Sequence, residues 1–381
     1  MRLKKIVILA LLALTIFGCD KDDSKPSSDT TNPFAPIKPP GTGDPLTDAG
    51  QLGDIMRDDF YGLMRDPALF AVTKEFGYSV IKDRKFPVNV AAVAANTTPW
   101  SSWWYPKRDT FLFEDSVENG VAPLTKFDLV RRSRFPAAAS ASDYERNQHS
   151  PQLLSWEGLC DAWSIASIAR PEPKRPVKIT LSDGSKKTVT FTVADLKALL
   201  LKTYEAVEPA GLKNYGQKFN GNITGWIYPD MFPEQFHRFI EVQIFQNKRS
   251  FIIDHDAGYE VWNIPVFRAN YKMDLVANDP NAIFVTTWIY SAESVLVTEK
   301  NFVGTKQAVR EYNYVLTGVR NADGDLVINS GYWVKGPNGI DSRSNHPDYA
   351  IQIADPTKII QKSWNPELDI NLVNEILAKS Y

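Results

Sequence analysis

The sequence predicts an α+β fold, with a cysteine-bearing helix packed on an antiparallel sheet core and a β-rich C-terminal part. Three observations point there. Helical apolar patterning recurs in SWEGLCDAWSIASIAR and ADLKALLLKTYEAV. Strand-like patterning dominates Ala282 to Ile353. Between and within these regions, short β-rich runs flank Asp-Gly or Asp-Ala-Gly turns, as in antiparallel hairpins.

The chain opens MRLKKIVILALLALTIFGCD. Arg2, Lys4 and Lys5 precede an apolar run too short to cross ~30 Å of hydrocarbon comfortably, so residues 1–18 read as an export signal. The Ile-Phe-Gly-Cys ending matches the bacterial lipobox, which makes Cys19 the lipidated first residue of the mature chain. A plain secretory signal cut elsewhere is the competing reading. Acyl chains contribute ~0.8 kcal/mol per buried CH2, so the expected location is a lipid anchor on the bacterial cell envelope, on the periplasmic side or the outer membrane. Residues 19–50, rich in Pro, Ser, Asp, Thr and Gly, read as a flexible tether. The folded body divides into a region 51–270 with the candidate reactive residues and the β-rich part 271–381.

In order, residues 51–84 carry helical spacing (Leu52, Ile55, Met56, Phe60, Leu63), and Ala91 to Phe113 is irregular and aromatic. SRFPAAASASDYERNQHS reads as a polar loop, and the helix after it stops at Pro171 and Pro173. VKITL and KTVTFTV form a hairpin about SDGSKK, and ADLKALLLKTYEAV is a second helix. PEQFHRFIEVQIFQ fits both periods; Asp230 and Pro233 as a start favour helix. SFIID and YEVWNIPVFRANYKM are strands about the turn HDAG, GVRNADGDLVINSGYW is a hairpin, and PELDINLVNEILAK is a closing helix.

A formal charge of −2 with mixed signs leaves no nucleic-acid footprint. With Cys19 acylated, Cys160 has no disulfide partner, so it is either a small buried hydrophobe or a working thiol. It falls in the first helical turn, where free amide donors and the positive end of the helix dipole stabilise a thiolate and an oxyanion. Packing beside Trp156 and Trp163 is the bland reading, and spacing alone leaves both standing. A nucleophilic thiol needs a base, and the chain has four histidines. His149 reads as surface, His255 as an exposed turn residue, and His346 as a structural loop residue able to return to the cleft. His237, flanked by aromatics, would by default be a satisfied core histidine. The order Cys160, His237, Asp254 raises it, because it reproduces the Cys–His–Asp chain order of thiol acyltransferases and peptidases. Asp254 competes with Asp256, and its bland reading is an ordinary strand-end Asp bonding the turn amides.

These blocks resemble the transglutaminase elicitor family. TPWSSWWYP is similar to its Trp-rich segment, PLTKFD to its pre-catalytic block, and SWEGLCDAWSIASIARPEP to its cysteine block. ADLKALL matches the next helix, and EVWNIPV its Val-Trp-Asn-x-Pro-Val segment, with Ile264 where the family carries Gln. The resemblance implies a papain- or transglutaminase-like fold and acyl transfer from protein glutamine to lysine or other amines. It marks Cys160 as nucleophile and supports His237 and Asp254 as base and orienting carboxylate. Trp156, Trp262 and Asn263 would then contact substrate. No cofactor is required; calcium stimulation is implied as an option, with Asp254, Asp256 and Glu260 as oxygen donors. DHDAGYE lacks calcium-loop spacing, however, and reads better as a solvated acidic turn. The rival functions are a papain-like cysteine peptidase or amidase and a non-enzymatic envelope lipoprotein.

Overall fold

A computed structural model describes residues 71–82, 89–118, 120–207, 211–216, 230–255 and 260–381. The expected signal, Cys19 and the tether lie outside them, as do residues 51–70 of the first expected helix. No helix among the described residues is long and apolar enough to cross a membrane.

The α+β class holds. The chain begins with α1 (Ala71–Phe76), β1 (Val80–Ile81) and β2 (Asn89–Ala92), followed by the irregular aromatic segment. Then come α2 (Pro123–Arg134), α3 (Ala141–Gln148), α4 (Cys160–Ala169), β3 (Val177–Thr180), β4 (Thr188–Phe191) and α5 (Val193–Lys202). β5 (Leu212–Tyr215), α6 (Pro233–Ile240) and a π-helical turn (Glu241–Gln246) lead to β6 (Phe251–Asp254) and β7 (Asn263–Leu275). β8 (Ala282–Ala292), β9 (Gln307–Arg320), β10 (Leu326–Trp333), β11 (Ala350–Ile353) and α7 (Ile370–Leu377) complete it.

Among the described residues, nine strands form one sheet in the order β1-β10-β9-β8-β7-β6-β11-β5, with β2 also on β7, while β3 and β4 make a separate hairpin. Every pairing is antiparallel. β6 lies on the start of β7, with Asp254 opposite Asn263, and β2 lies further along, with Asn89 opposite Tyr271. The expected division between residues 270 and 271 falls inside β7, so both parts build the same sheet.

Local chemistry explains the helices. Thr192 and Asp195 form a capping box at the start of α5, and Pro123 and Pro233 open α2 and α6 where a missing amide costs nothing. The stretch read as a polar loop contains α3. Ser140 accepts from the Asp143 amide at 3.1 Å, and Asp128 of α2 accepts from the Ala141 amide at 2.8 Å and the Ser142 amide at 2.9 Å. PEQFHRFI is helical, as its Pro start favours, and runs on into the π turn.

Strand alternation sorts side chains onto two cores. Ile252 of β6 and Ile351 and Ile353 of β11 face the layer containing α4, α5 and α7. Phe251 and Ile253 of β6, with Ile264 and Val266 of β7, face the opposite core with Phe236 and Phe239 of α6. The sheet therefore stands between α4 and α6.

Candidate active site

Cys160 is the first residue of α4. The Trp-rich segment straps this helix start in place. The Leu159 amide donates to the Trp104 carbonyl at 2.7 Å, and the Lys107 amide donates to the Glu157 carbonyl at 2.8 Å. Trp163 Nε1 donates to the Trp100 carbonyl at 2.8 Å, and Trp100 Nε1 to the Arg170 carbonyl at 3.0 Å. Gly158 is required by this contact: a Cβ there would lie 2.2 Å from Trp104 Cε3 and 2.9 Å from its carbonyl oxygen. Cys160 is sealed, with 0 % of its surface exposed, and shares one core with Trp156, Leu159, Trp163 and Trp262.

The helix start packs on the end of the sheet where β6 finishes and β7 begins. Ser164 Oγ donates to the Asn263 carbonyl at 2.9 Å. Asn263 Nδ2 lies 3.4 Å from Asp161 Oδ1, and the Tyr349 hydroxyl donates to Asn263 Oδ1 at 3.1 Å. Asp254, directly across from Asn263, is fully buried and accepts from the Trp262 amide at 2.9 Å through Oδ1. His255 follows it, half-buried, with its ring stacked on Trp262 at 6.2 Å between centroids. The Tyr312 hydroxyl donates to the His255 carbonyl at 2.6 Å.

Burial, and then the nearby Arg310 cation, push the His255 imidazole well below its ordinary pKa, so it stands neutral near pH 7 and is a weaker base than an ordinary imidazole. Burial pushes the Asp161 carboxyl up to about 6, against the pull of the Lys107 ammonium. Burial also raises the Tyr349 phenol, helped by the charges of Asp254, Asp161 and Asp348, so it stays a hydrogen-bond donor.

The other histidines lie elsewhere. His237, the favoured base, is buried on α6 in the opposite core, with Nδ1 2.7 Å from the Tyr314 hydroxyl and Nε2 3.6 Å from Glu241 Oε1. Tyr314 and the ring neighbour Tyr271 both belong to that core, so the sheet separates His237 from Cys160. Chain order carries no information about which sheet face a helix covers. His346 is buried against Trp333, with Nδ1 2.8 Å from the Ser342 carbonyl and Nε2 3.4 Å from Asp230 Oδ2. His149 is on the outer side, 2.9 Å from the Arg108 carbonyl. His255, read as an exposed turn residue, is the histidine carried at the strand end on which α4 packs.

The expected contact residues are buried too: Trp156 is 5 % exposed, Trp262 9 % and Asn263 1 %. Asn263 is engaged with Asp161 and Tyr349. Asp161, Tyr349 and Lys107 were not singled out from sequence. The adjacency of Asp161 to the cysteine was the available signal for one of them; the others reach the site through tertiary packing. Of the calcium donors considered, Asp254 holds the Trp262 amide, Glu260 is exposed, and Asp256 lies outside the described residues. Among the described residues no group of three or more His, Cys, Asp or Glu side chains is arranged for a metal.

Residues 137–282 match the model of the family described as transglutaminase elicitor, and the resemblance carried by the cysteine block is thereby shown over that stretch. The fold is similar to the crystal structure of the GP42 transglutaminase from Phytophthora sojae, with a TM-score of 0.59 and 18 % identity, covering 83 % of this chain and 98 % of that one. No curated protein matches the chain.

Proposed function

We propose that the protein is a cysteine-dependent acyltransferase that moves the γ-glutamyl group of a protein glutamine to an amine. One arrangement carries the reading: Cys160 opens a helix that packs on the strand end bearing Asp254, His255 and Asn263, inside the stretch that matches the family. His255 takes the thiol proton, and the sulfur forms a bond to the glutamine carboxamide carbon. Amides of the first α4 turn hold the oxyanion. His255 returns the proton to the departing nitrogen, the C–N bond breaks, and ammonia leaves a thioester. A lysine amine then attacks that thioester, giving an isopeptide bond; water instead gives glutamate. Asp254, next to His255, is the carboxylate assigned to balance the imidazolium formed in each step.

The partners are protein or peptide glutamine donors and lysine or other amine acceptors, and the protein acts from a lipid anchor at the bacterial envelope. No cofactor is needed for this chemistry, and calcium is a stimulant to be tested by adding it and then a chelator. Incubation of the purified protein with a glutamine peptide and a labelled primary amine should give an amine adduct on intact peptide and lose it in Cys160→Ala. Folded protein that gives no adduct, thioester or deamidated peptide would sink the proposal. A peptide cut in the main chain would instead indicate peptidase chemistry.

The complete burial of Cys160 favours a second reading, a non-catalytic member of the family whose thiol is core. Alkylation by iodoacetamide separates the two. A working thiol is alkylated near neutral pH and is protected once a glutamine peptide acylates it; a core thiol stays inert with or without the peptide.

A further inference from the structure

We propose that Asp161 is the acceptor-side residue of this site: its carboxylate receives the ammonium of the incoming amine and takes its proton. The inference rests on the acyl-transfer reading above and deepens it to the second substrate. Asp161 is the residue after the nucleophile, and its carboxylate reaches the amide of Asn263 on the same strand start that Ser164 holds. Tyr349 fixes Asn263 from the other side, so the carboxylate stands on a two-residue support in a packed surround. Of the adjacent pair, Cys160 is sealed while Asp161 keeps part of its surface open.

Lys107 of the strap acts on the charge of Asp161, and its own ammonium is disfavoured, chiefly by burial. A substrate lysine presents the same head group on the same aliphatic stem. Trp104, partly exposed on the strap beside Gly158, supplies aromatic surface at this end of α4, suited to such a stem.

The chemistry requires such a group. A lysine amine is almost wholly protonated at neutral pH and has no lone pair to attack with. Asp161 carboxylate removes one proton from R–NH3+, giving R–NH2 and a neutral carboxyl. The nitrogen bonds the thioester carbon, the C–S bond breaks, and the second nitrogen proton passes to His255 as the thiolate leaves. Asp161 then returns its proton to water. A carboxyl raised toward neutrality accepts and releases a proton more evenly than an ordinary one.

The test compares two acceptors on one acyl-enzyme. Hydroxylamine is uncharged at neutral pH and needs no deprotonation before attack, whereas cadaverine is a dication. Asp161→Asn should lose at least tenfold more in kcat/KM for cadaverine than for hydroxylamine. Equal losses with both acceptors, or no loss with either, would overturn the assignment. Lys107→Met gives an independent measurement should Asp161→Asn fail to fold: removing the internal cation should lower KM for cadaverine and leave hydroxylamine unaffected, and an unchanged ratio of the two counts against the proposal. A wild-type protein that forms neither thioester nor hydroxamate overturns the acyl-transfer reading itself, which is a different result from an unchanged ratio.

Discussion

His255→Ala removes the imidazole beside Trp262 and, under the proposed chemistry, should lower kcat by about 10²–10⁴-fold with the fold intact, as measured by amine incorporation. His237→Gln should act on stability instead. It breaks the contact with the Tyr314 hydroxyl inside the far core, for a loss of about 1–3 kcal/mol in urea unfolding, with incorporation per folded molecule preserved. The reverse pattern would restore His237 as base. Arg310 offers a finer measurement. Burial and then this cation depress the His255 pKa, so Arg310→Gln should raise it. His255 must be neutral to accept the thiol proton; activity therefore fails sooner on acidification, and the acidic limb of kcat/KM moves to higher pH. Arg310→Lys keeps the charge and should leave that limb in place. At this scale the proposed nucleophile was legible and the histidine proposed as its base was not. Cys160 announced itself by position at the head of an apolar helix, whereas His237 and His255 differ by a sheet face that is settled only when β6 and β7 pair.

Elements were readable where local chemistry decides them. Pro171 marks the stop after α4, whose last described helical residue is Ala169, and Pro233 marks the start of α6. α3 was missed because ASDYERNQ is polar apart from Ala141 and Tyr144, and its local start signal is Ser140 three residues before Asp143. The cap that secures it comes from Asp128 on another helix, which no local window contains. The strap on α4 is a matching case: TPWSSWWYP is conspicuous in composition, but its task follows from backbone bonds to Glu157 and Leu159. Gly158→Ala tests that task. The added methyl meets both the ring and the carbonyl of Trp104, so the strap or the helix start must shift. A loss of about 1–3 kcal/mol is expected from the overpacking, together with a fall in acyl-enzyme formation because the first α4 turn is displaced. A stable variant with full activity would show that the strap tolerates the shift and does not set the thiol's position.

Across the whole molecule, the helical layer and the sheet are joined by a buried ion pair as well as by apolar contact. Lys197 of α5 has no exposed side-chain surface. Its Nζ donates to Glu172 Oε1 at 2.7 Å, to the Ser101 carbonyl at 2.6 Å and to the Phe302 carbonyl at 2.8 Å. Glu172 in turn accepts from the Gly304 amide at 2.9 Å. Four separate stretches thus meet on two side chains: the Trp-rich strap, the end of the cysteine block, α5, and the connection between β8 and β9. A division of the chain near residue 270 was a fair reading of composition but hid this clamp, since Phe302 and Gly304 come from the part assigned to the C-terminal side. Lys197→Ala should cost about 3–5 kcal/mol, because it leaves the Glu172 carboxylate buried beside no cation. Combining Lys197→Met with Glu172→Gln removes both charges and keeps an oxygen toward Gly304, so the double variant should be more stable than Lys197→Ala in thermal unfolding. If the single substitution is as stable as wild type, the clamp contributes nothing and apolar packing alone holds the two layers; if the double variant is no better than the single, the loss comes from packing of the long side chain and not from a stranded charge.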